Sequence, residues 1–434
     1  MRIKKPAPLI VGMIVTACLT LLLGHYGDTA RAGEVEFTSE NWTETTAFAP
    51  DTASLESAIG KKITAGNVEK YKNWIPNGMK MLVKKYALIL RITGYKPVHP
   101  SEGYIEATNK HRGKAEIIKQ KSYKKRGIKG HVAGLPFPGP KTGLEVAWNH
   151  QYSYRGDDGE VYYSVYWISE KRGVEHTEEW RLAMIKGANR TDIDPRPSIE
   201  SFKEKGLQGA GLTYALAPYD KKGFGAVYFR SIKPKSGQGH IYVPSMRRIL
   251  RNSFGTRGDT WNSTDLLYED VRGYSGYPEW MKWRLLSKKT MLLPMHSGVK
   301  LGKKGIEKAY DLKKWPYWNP KYKYEPRPVY VLEVKPKLPD YPYSKQYLYV
   351  DAETFAVLYK ESYDKKGALW KIMINSAAYH PDVETDEEVL GWSGTVVIDL
   401  QAEHATVFHV HKARVNVGLK PSMFSLSNLR KRGR

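Results

Sequence analysis

Cysteine is almost missing from this sequence. Its one thiol, Cys18, lies in an apolar N-terminal stretch. The rest of the chain therefore has no disulfide, thiolate nucleophile or Cys-ligated metal, and holds together by its core alone. A serine-hydrolase elbow is missing too: no Gly-X-Ser-X-Gly occurs, only turn pieces such as Tyr274-Ser275-Gly276. The glycines of 206–211 lack both the phosphate-cradling spacing and a following Lys-Ser/Thr pair, and read as a plain turn. No fixed-period repeat is found, and low complexity is confined to the basic tail, 430–434. Acid is scarce relative to base, with 45 Asp and Glu against 69 Lys and Arg, leaving a formal charge of +24. Such an excess reads as attraction to an anionic polymer or surface.

The compartment narrows that choice. Residues 1–32 have the parts of a secretory signal: basic Arg2, Lys4 and Lys5, an apolar run over 8–24, and Ala30-Arg31-Ala32 before Gly33. Cleavage between Ala32 and Gly33 is the expected outcome. Two alternatives stay open: the run is near the lower bound for an uncleaved anchor, and Val15-Thr16-Ala17-Cys18 fits a lipoprotein box. Export to the periplasm, or to an outer-membrane-associated position, makes nucleic acid an unsuitable partner. Phospholipid headgroups and lipopolysaccharide remain as the anionic surfaces to be met.

Abundant aromatics point to the fold. Thirty Tyr and twelve Trp favour strands and present an apolar body with a polar tip. The chain is expected to divide into the leader, an extension over 33–54, a helical segment over 55–110 and a curved β-sheet domain over 111–434. Helix-like spacing over 55–90 offers Ser54 as N-cap and Ile59, Ile63 and Val68 as buried positions, with Pro76 and Gly78 dividing two helices. A hairpin is predicted between 143–154 and 161–171 through Gly156-Asp157-Asp158-Gly159. Its first strand would align Trp148, Tyr152 and Tyr154, and its second Tyr162, Ser164, Tyr166 and Ile168, as an aromatic wall. A three-strand meander is predicted over 344–350, 355–363 and 369–374, with Phe355, Val357 and Tyr359 on one face. The Pro-, Gly- and Lys-rich stretches 195–211 and 300–328 read as long loops.

His409 and His411 would share a strand face while His404 turns away, but no third ligand stands at suitable spacing, so no metal is expected. Glu178-Glu179 and Asp386-Glu387-Glu388 put neighbouring carboxylates on opposite faces of a strand, a poor arrangement for glycosidase chemistry.

Several motifs together resemble a bacterial envelope family, domain of unknown function 1329, related to the lipoprotein-sorting proteins LolA and LolB. They include Ile63-Thr64-Ala65-Gly66-Asn67, Glu106-Ala107-Thr108-Asn109-Lys110, Ala133-Gly134-Leu135-Pro136-Phe137-Pro138 and Ala147-Trp148-Asn149. Tyr242-Val243-Pro244 and Trp283-Arg284-Leu285 follow, then Arg327-Pro328-Val329-Tyr330-Val331-Leu332-Glu333, Tyr347-Leu348-Tyr349-Val350-Asp351 and Tyr363-Asp364-Lys365-Lys366-Gly367-Ala368-Leu369-Trp370-Lys371. The resemblance implies a mainly β (α+β) fold, a large curved antiparallel sheet forming an incomplete barrel whose apolar cavity is covered by helices. It also implies a carrier of a lipid or similar hydrophobic ligand that serves an RND-type exporter or an outer-membrane protein, with no enzymatic step and no cofactor. Trp148, Tyr166, Trp283, Tyr330 and Trp370 are the expected cavity or rim residues. A rival reading is a non-enzymatic protein that binds anionic glycans or membrane surfaces through its basic exterior.

Overall fold

A computed structural model describes residues 35–43, 48–120, 122, 126–234, 237–254, 258–385 and 387–432. The expected leader, with Cys18 and the Ala32–Gly33 junction, lies outside them, as does Asp386. Two units are distinguished, Met1–Phe37 and Thr38–Arg434, and the second carries the sheet.

Strands come first as short pieces: β1 (Lys62–Ile63), β2 (Leu90–Ile92), and a separate pair, β3 (Glu116–Ile118) with β4 (Gly127–Lys129). An antiparallel meander follows: β5 (Asp158–Ser169), β6 (Gly173–Lys186), β7 (Leu207–Ala217), β8 (Gly225–Ser231), β9 (Gly237–Val243) and β10 (Arg248–Phe254). After β11 (Met281–Leu293) and a small pair, β12 (Tyr310–Asp311) with β13 (Asn319–Pro320), a second meander begins. It runs through β14 (Lys323–Pro336), β15 (Lys345–Asp351), β16 (Val357–Tyr363), β17 (Leu369–Pro381), β18 (Glu388–Asp399) and β19 (His404–Val415). Helices are few and short: α1 (Asn77–Lys85), α2 (Glu102–His111), α3 (Gly143–Tyr152), α4 (Glu200–Lys203), α5 (Ile306–Ala309) and α6 (Leu426–Arg432).

Pairing between β19 and β5 joins the two meanders into one 15-stranded sheet, and β11 adds to β14. All its ladders are antiparallel except the short parallel contact of β2 with β14. The sheet stays open: its long path ends at β1 and β10, and β11, off that path, pairs with β14. This is the mainly antiparallel, unclosed sheet expected from the sequence.

Side-chain alternation sorts the core into two faces. Tyr359, Ile372, Ile374, Val396, Ile398, Ala405 and Val407 pack with Leu55, Val68, Met79, Leu82 and Val83 of the N-terminal segment. Their neighbours one residue along, Met373, Val397 and Phe408, pack on the other face with Tyr163, Val165, Trp167 and Trp180. Segment 258–280, which returns the chain from β10 to β11, crosses this second face. Trp261 meets Trp180 of β6 at 5.0 Å and Phe408 of β19 at 5.7 Å between ring centroids. Next, the Asp265 carbonyl accepts from Lys371 of β17 (2.7 Å), and its carboxylate accepts from Thr406 of β19 (2.7 Å). Further on, Asp270 pairs with Lys360 of β16 and accepts from Tyr343 (2.6 Å). The segment thus meets the strands in their order across the sheet.

Several sequence expectations are corrected. Residues 143–152 form α3, so the expected hairpin does not exist, and β5 instead pairs with β6 and β19. Gly156-Asp157-Asp158-Gly159 leads into β5, where the Asp157 carboxylate accepts the N–H groups of Thr191, Asp192 and Ile193. Ile59 is 48% exposed because residues 53–58 form a 3-10 turn rather than an α-helix. The N-cap of that turn is Thr52, and Ser54 donates its N–H to Asp51 (3.1 Å). Residues 207–211 belong to β7 and 323–328 to β14. Pro326 and Pro328 suggested a loop, but they lie outside the stretch of β14 that β15 pairs, 329–334. Their missing N–H groups therefore leave that ladder intact. The meander is found where expected, although Phe355 sits in its turn at φ +54° rather than in the strand.

Candidate functional site

Helix α3 organises the most promising recess. Thr142 accepts from the Glu145 N–H (3.2 Å), and the Glu145 carboxylate accepts in return from the Thr142 N–H (3.0 Å). This reciprocal cap satisfies two otherwise orphaned donors and starts the helix against the strand-like alternation of Leu144, Val146 and Trp148. Gly143 lets the helix approach β11 closely: a Cβ there would lie 3.0 Å from the Leu285 nitrogen. At the far end His150, buried, sets its ring nitrogens 2.7 Å from the Phe355 carbonyl and 2.9 Å from the Tyr274 carbonyl. Burial, helped by the charge of Arg272, pushes its pKa down to about 3, and a neutral ring can donate to only one of the two carbonyls.

Between α3, the β3–β4 hairpin and the turn at 278–280 lies a cavity of about 470 Å³. Ile117, Ile118, Leu144 and Trp148 give it apolar walls, while Lys119, Arg126, Glu279 and Lys337 supply charge. Glu279 is 4% exposed, and neither carboxylate oxygen has a hydrogen-bond partner. Burial pushes its pKa up to about 7, opposed by the charges of Arg230, Lys337 and Arg126. The Lys337 amine donates to the Glu279 main-chain carbonyl (2.8 Å) rather than to the carboxylate. Burial and the Arg126 charge bring that amine down to about 8. An apolar recess with one carboxyl poised near neutrality can hold an apolar body and bind a single polar group by hydrogen bond or charge.

Of the five aromatic residues singled out from sequence, Trp148 lines this cavity. Its ring stacks on Tyr152, one helical turn on, with centroids 5.9 Å apart. The other four are not among the lining residues. Tyr166 is partly buried against the first core. Trp283 donates to the Pro278 carbonyl (2.7 Å) and meets Tyr274 edge-on, while Tyr330 is fully buried and stacks on Phe355. Trp370 donates to Asp399 (2.9 Å). Glu279 and Lys337 escaped sequence reasoning because they are isolated charges far apart in the chain. The capping pair Thr142 and Glu145 was a legible signal for α3 that strand-like alternation obscured.

Histidine placement follows the strand period. His409 and His411 share a face with rings 5.8 Å apart, and His404 points the other way to Asp265 (2.7 Å). Among the described residues no group of three or more His, Cys, Asp or Glu could hold a metal ion. Glu178 and Glu179 likewise part company, the first accepting from Trp180 (2.9 Å) and the second pairing with Lys303 (2.6 Å). No helix among the described residues is long and apolar enough to cross a membrane.

Residues 62–430 match the model of a family described as protein of unknown function, DUF1329. An uncharacterized protein of Pseudomonas aeruginosa, PA3922, is 25% identical over 360 residues, covering 78% of this chain and 72% of its own. A Vibrio parahaemolyticus domain named for outer membrane lipoprotein sorting is 18% identical, covering 66% of this chain and 98% of its own, with a TM-score of 0.47. A DUF1329 family protein from Desulfovibrio piger is 17% identical, with 66% and 97% covered and a TM-score of 0.46.

Proposed function

The chain belongs to the DUF1329 family, and on that premise we propose that it is a non-enzymatic carrier, in the Gram-negative envelope, for a lipid or another hydrophobic molecule. The observation that supports this reading is the α3 cavity. Its 470 Å³ falls in the range of small-ligand sites, roughly 300–1,000 Å³. Each methylene withdrawn from water into it contributes about 0.8 kcal/mol, so a short acyl stretch gives useful affinity without any chemical step. Glu279 supplies the polar anchor that fixes orientation. In this reading the protein works in the periplasm after loss of its leader, its basic exterior draws it to anionic membrane faces, and it hands its cargo to an RND-type exporter or an outer-membrane protein.

Native mass spectrometry of gently purified protein, followed by lipid extraction, is the test. A discrete bound hydrophobic mass is expected, and Trp148→Ala should weaken binding of an environment-sensitive acyl probe by about tenfold, the loss of roughly 1.4 kcal/mol of apolar contact. A clean unliganded mass with no probe binding would sink the carrier.

A second reading, binding of anionic glycans or membrane surfaces, draws on a cleft of about 630 Å³ lined by His240, Arg251, Arg430 and Lys431. Polyanion binding there would weaken steeply with salt, whereas acyl binding in the α3 cavity would not.

A further inference from the structure

Three arginines meet at the C-terminal end of α3. Arg272 donates to the His150 carbonyl (3.2 Å) and to Ser153 Oγ (3.3 Å). Arg155 donates to the carbonyls of Ser153 and Gln151, both at 3.4 Å. Arg230 donates to the side-chain oxygens of Gln151 and Gln208, both at 2.9 Å, and to the Gly276 carbonyl (3.1 Å), with its guanidinium 4.4 Å above the Tyr277 ring. Every one of these acceptors is uncharged.

A structural role alone leaves the charge unbalanced. The end of a helix offers free carbonyls and a partial charge of about −0.5, which one arginine would complement. Three leave roughly two and a half positive charges with no carboxylate among their hydrogen-bond partners. Of the nearby acids, Asp157 is engaged by the N–H groups of 191–193 and by Lys186 at 3.5 Å, Asp192 by Ser101 and Asn416, and Glu279 lies within the field of Arg230 without a hydrogen bond to it. The arginines feel one another. Burial and the Arg230 charge bring Arg155 down to about 10, and burial with the other two charges takes Arg272 well below its ordinary value. Tyr228 lies within the field of all three. Arg155, packed among these neighbours, still keeps an exposed surface, and Arg230, Arg272 and Tyr228 are half-buried, so solvent reaches the cluster.

We propose that this cluster of Arg155, Arg230, Arg272 and Tyr228 binds an oxyanion, a phosphate or carboxylate, and that the oxyanion is the head of the amphiphile whose tail occupies the α3 cavity. The second half rests on the carrier reading. Leu144, at the cavity, and Gln151, among the arginines, are separated by about 10 Å along the helix axis, a span within one amphiphile. Tyr152 bridges the two, stacked on Trp148 and within the field of both Arg230 and Glu279.

Calorimetric titration of the lipid-stripped protein with dihexanoyl phosphatidic acid, with dihexanoylglycerol of the same tails, and with inorganic phosphate tests this. Phosphatidic acid should bind at least tenfold tighter than the glyceride. Arg155→Gln should erase that gap and Arg155→Lys restore part of it. Without ligand, Arg155→Gln should melt no lower than the parent, since one of three repelling charges is gone. A marked fall in its melting temperature would identify a helix-capping role and overturn the site. Equal binding of the two lipids to the parent overturns the oxyanion site while the carrier stands. Binding of inorganic phosphate with no gain from tails supports the oxyanion site as one for a free ion and removes the carrier. Binding of none of the three overturns both.

Discussion

Glu279 keeps both carboxylate oxygens without a hydrogen bond while almost wholly withdrawn from water. Its pKa of about 7 lies above the ordinary 4.5, so between those values the folded protein holds a proton that the unfolded chain releases. Its stabilising contribution is complete below pH 4.5 and is lost as pH rises to 7. Glu279→Gln should therefore melt progressively higher than the parent from pH 4.5 to 8, by an amount on the order of a few kcal/mol at the upper end. A difference that stays flat in a pH series of melting curves would show that the carboxyl titrates normally. Arg327 is the opposite case. Fully buried, it donates to Asp351 (2.7 Å), Glu325 (3.0 Å) and Glu353. Burial works against its charge, but Asp351 and Glu353 outweigh burial and hold its pKa above the ordinary value. Arg327→Met would strand those carboxylates, and chemical denaturation should register a loss of about 3–5 kcal/mol. Arg327, the first residue of the motif 327–333 that carries the family resemblance, thus anchors a buried ion network.

At the scale of elements, α3 depends on its N-terminal cap. Thr142→Ala should cost about 1 kcal/mol and loosen the cavity wall, seen as faster amide exchange over 143–148 with the sheet unchanged. The meander of β15, β16 and β17 was legible in the sequence because strand alternation and Asp-rich turns agree there. At α3 the two signals disagreed, since Leu144, Val146 and Trp148 alternate like a strand while Thr142 and Glu145 cap a helix. The helix is almost entirely buried, which hides the polar face that would have betrayed its period. Trp148 was singled out on a strand and reaches the cavity from a helix. Glu279, Lys337 and the three arginines carried no local signal, because segments far apart in the chain bring them together.

Across the whole molecule, two long outer strands, β10 and β11, are strongly basic. Lys282, Arg284, Lys288 and Lys289 are exposed on β11, and Arg248 and Arg251 are exposed on β10. Positive charge on an open edge discourages pairing with another sheet. Lys282→Thr combined with Lys289→Thr should raise the fraction of dimers or larger species at neutral pH in size-exclusion chromatography with light scattering. An unchanged size distribution would mean that another feature guards the edge.

The seam where β19 meets β5 carries a different cost. Ser169 pairs with His404 and Gly159 with Val415, partners more than two hundred residues apart in the chain. A chain delivered from its N-terminus presents β5 through β10 long before β19 arrives, so the middle of the finished sheet begins as an unprotected margin. Until then β5 is a template for any passing strand, and a holding factor that keeps nascent chains apart matters most during that interval.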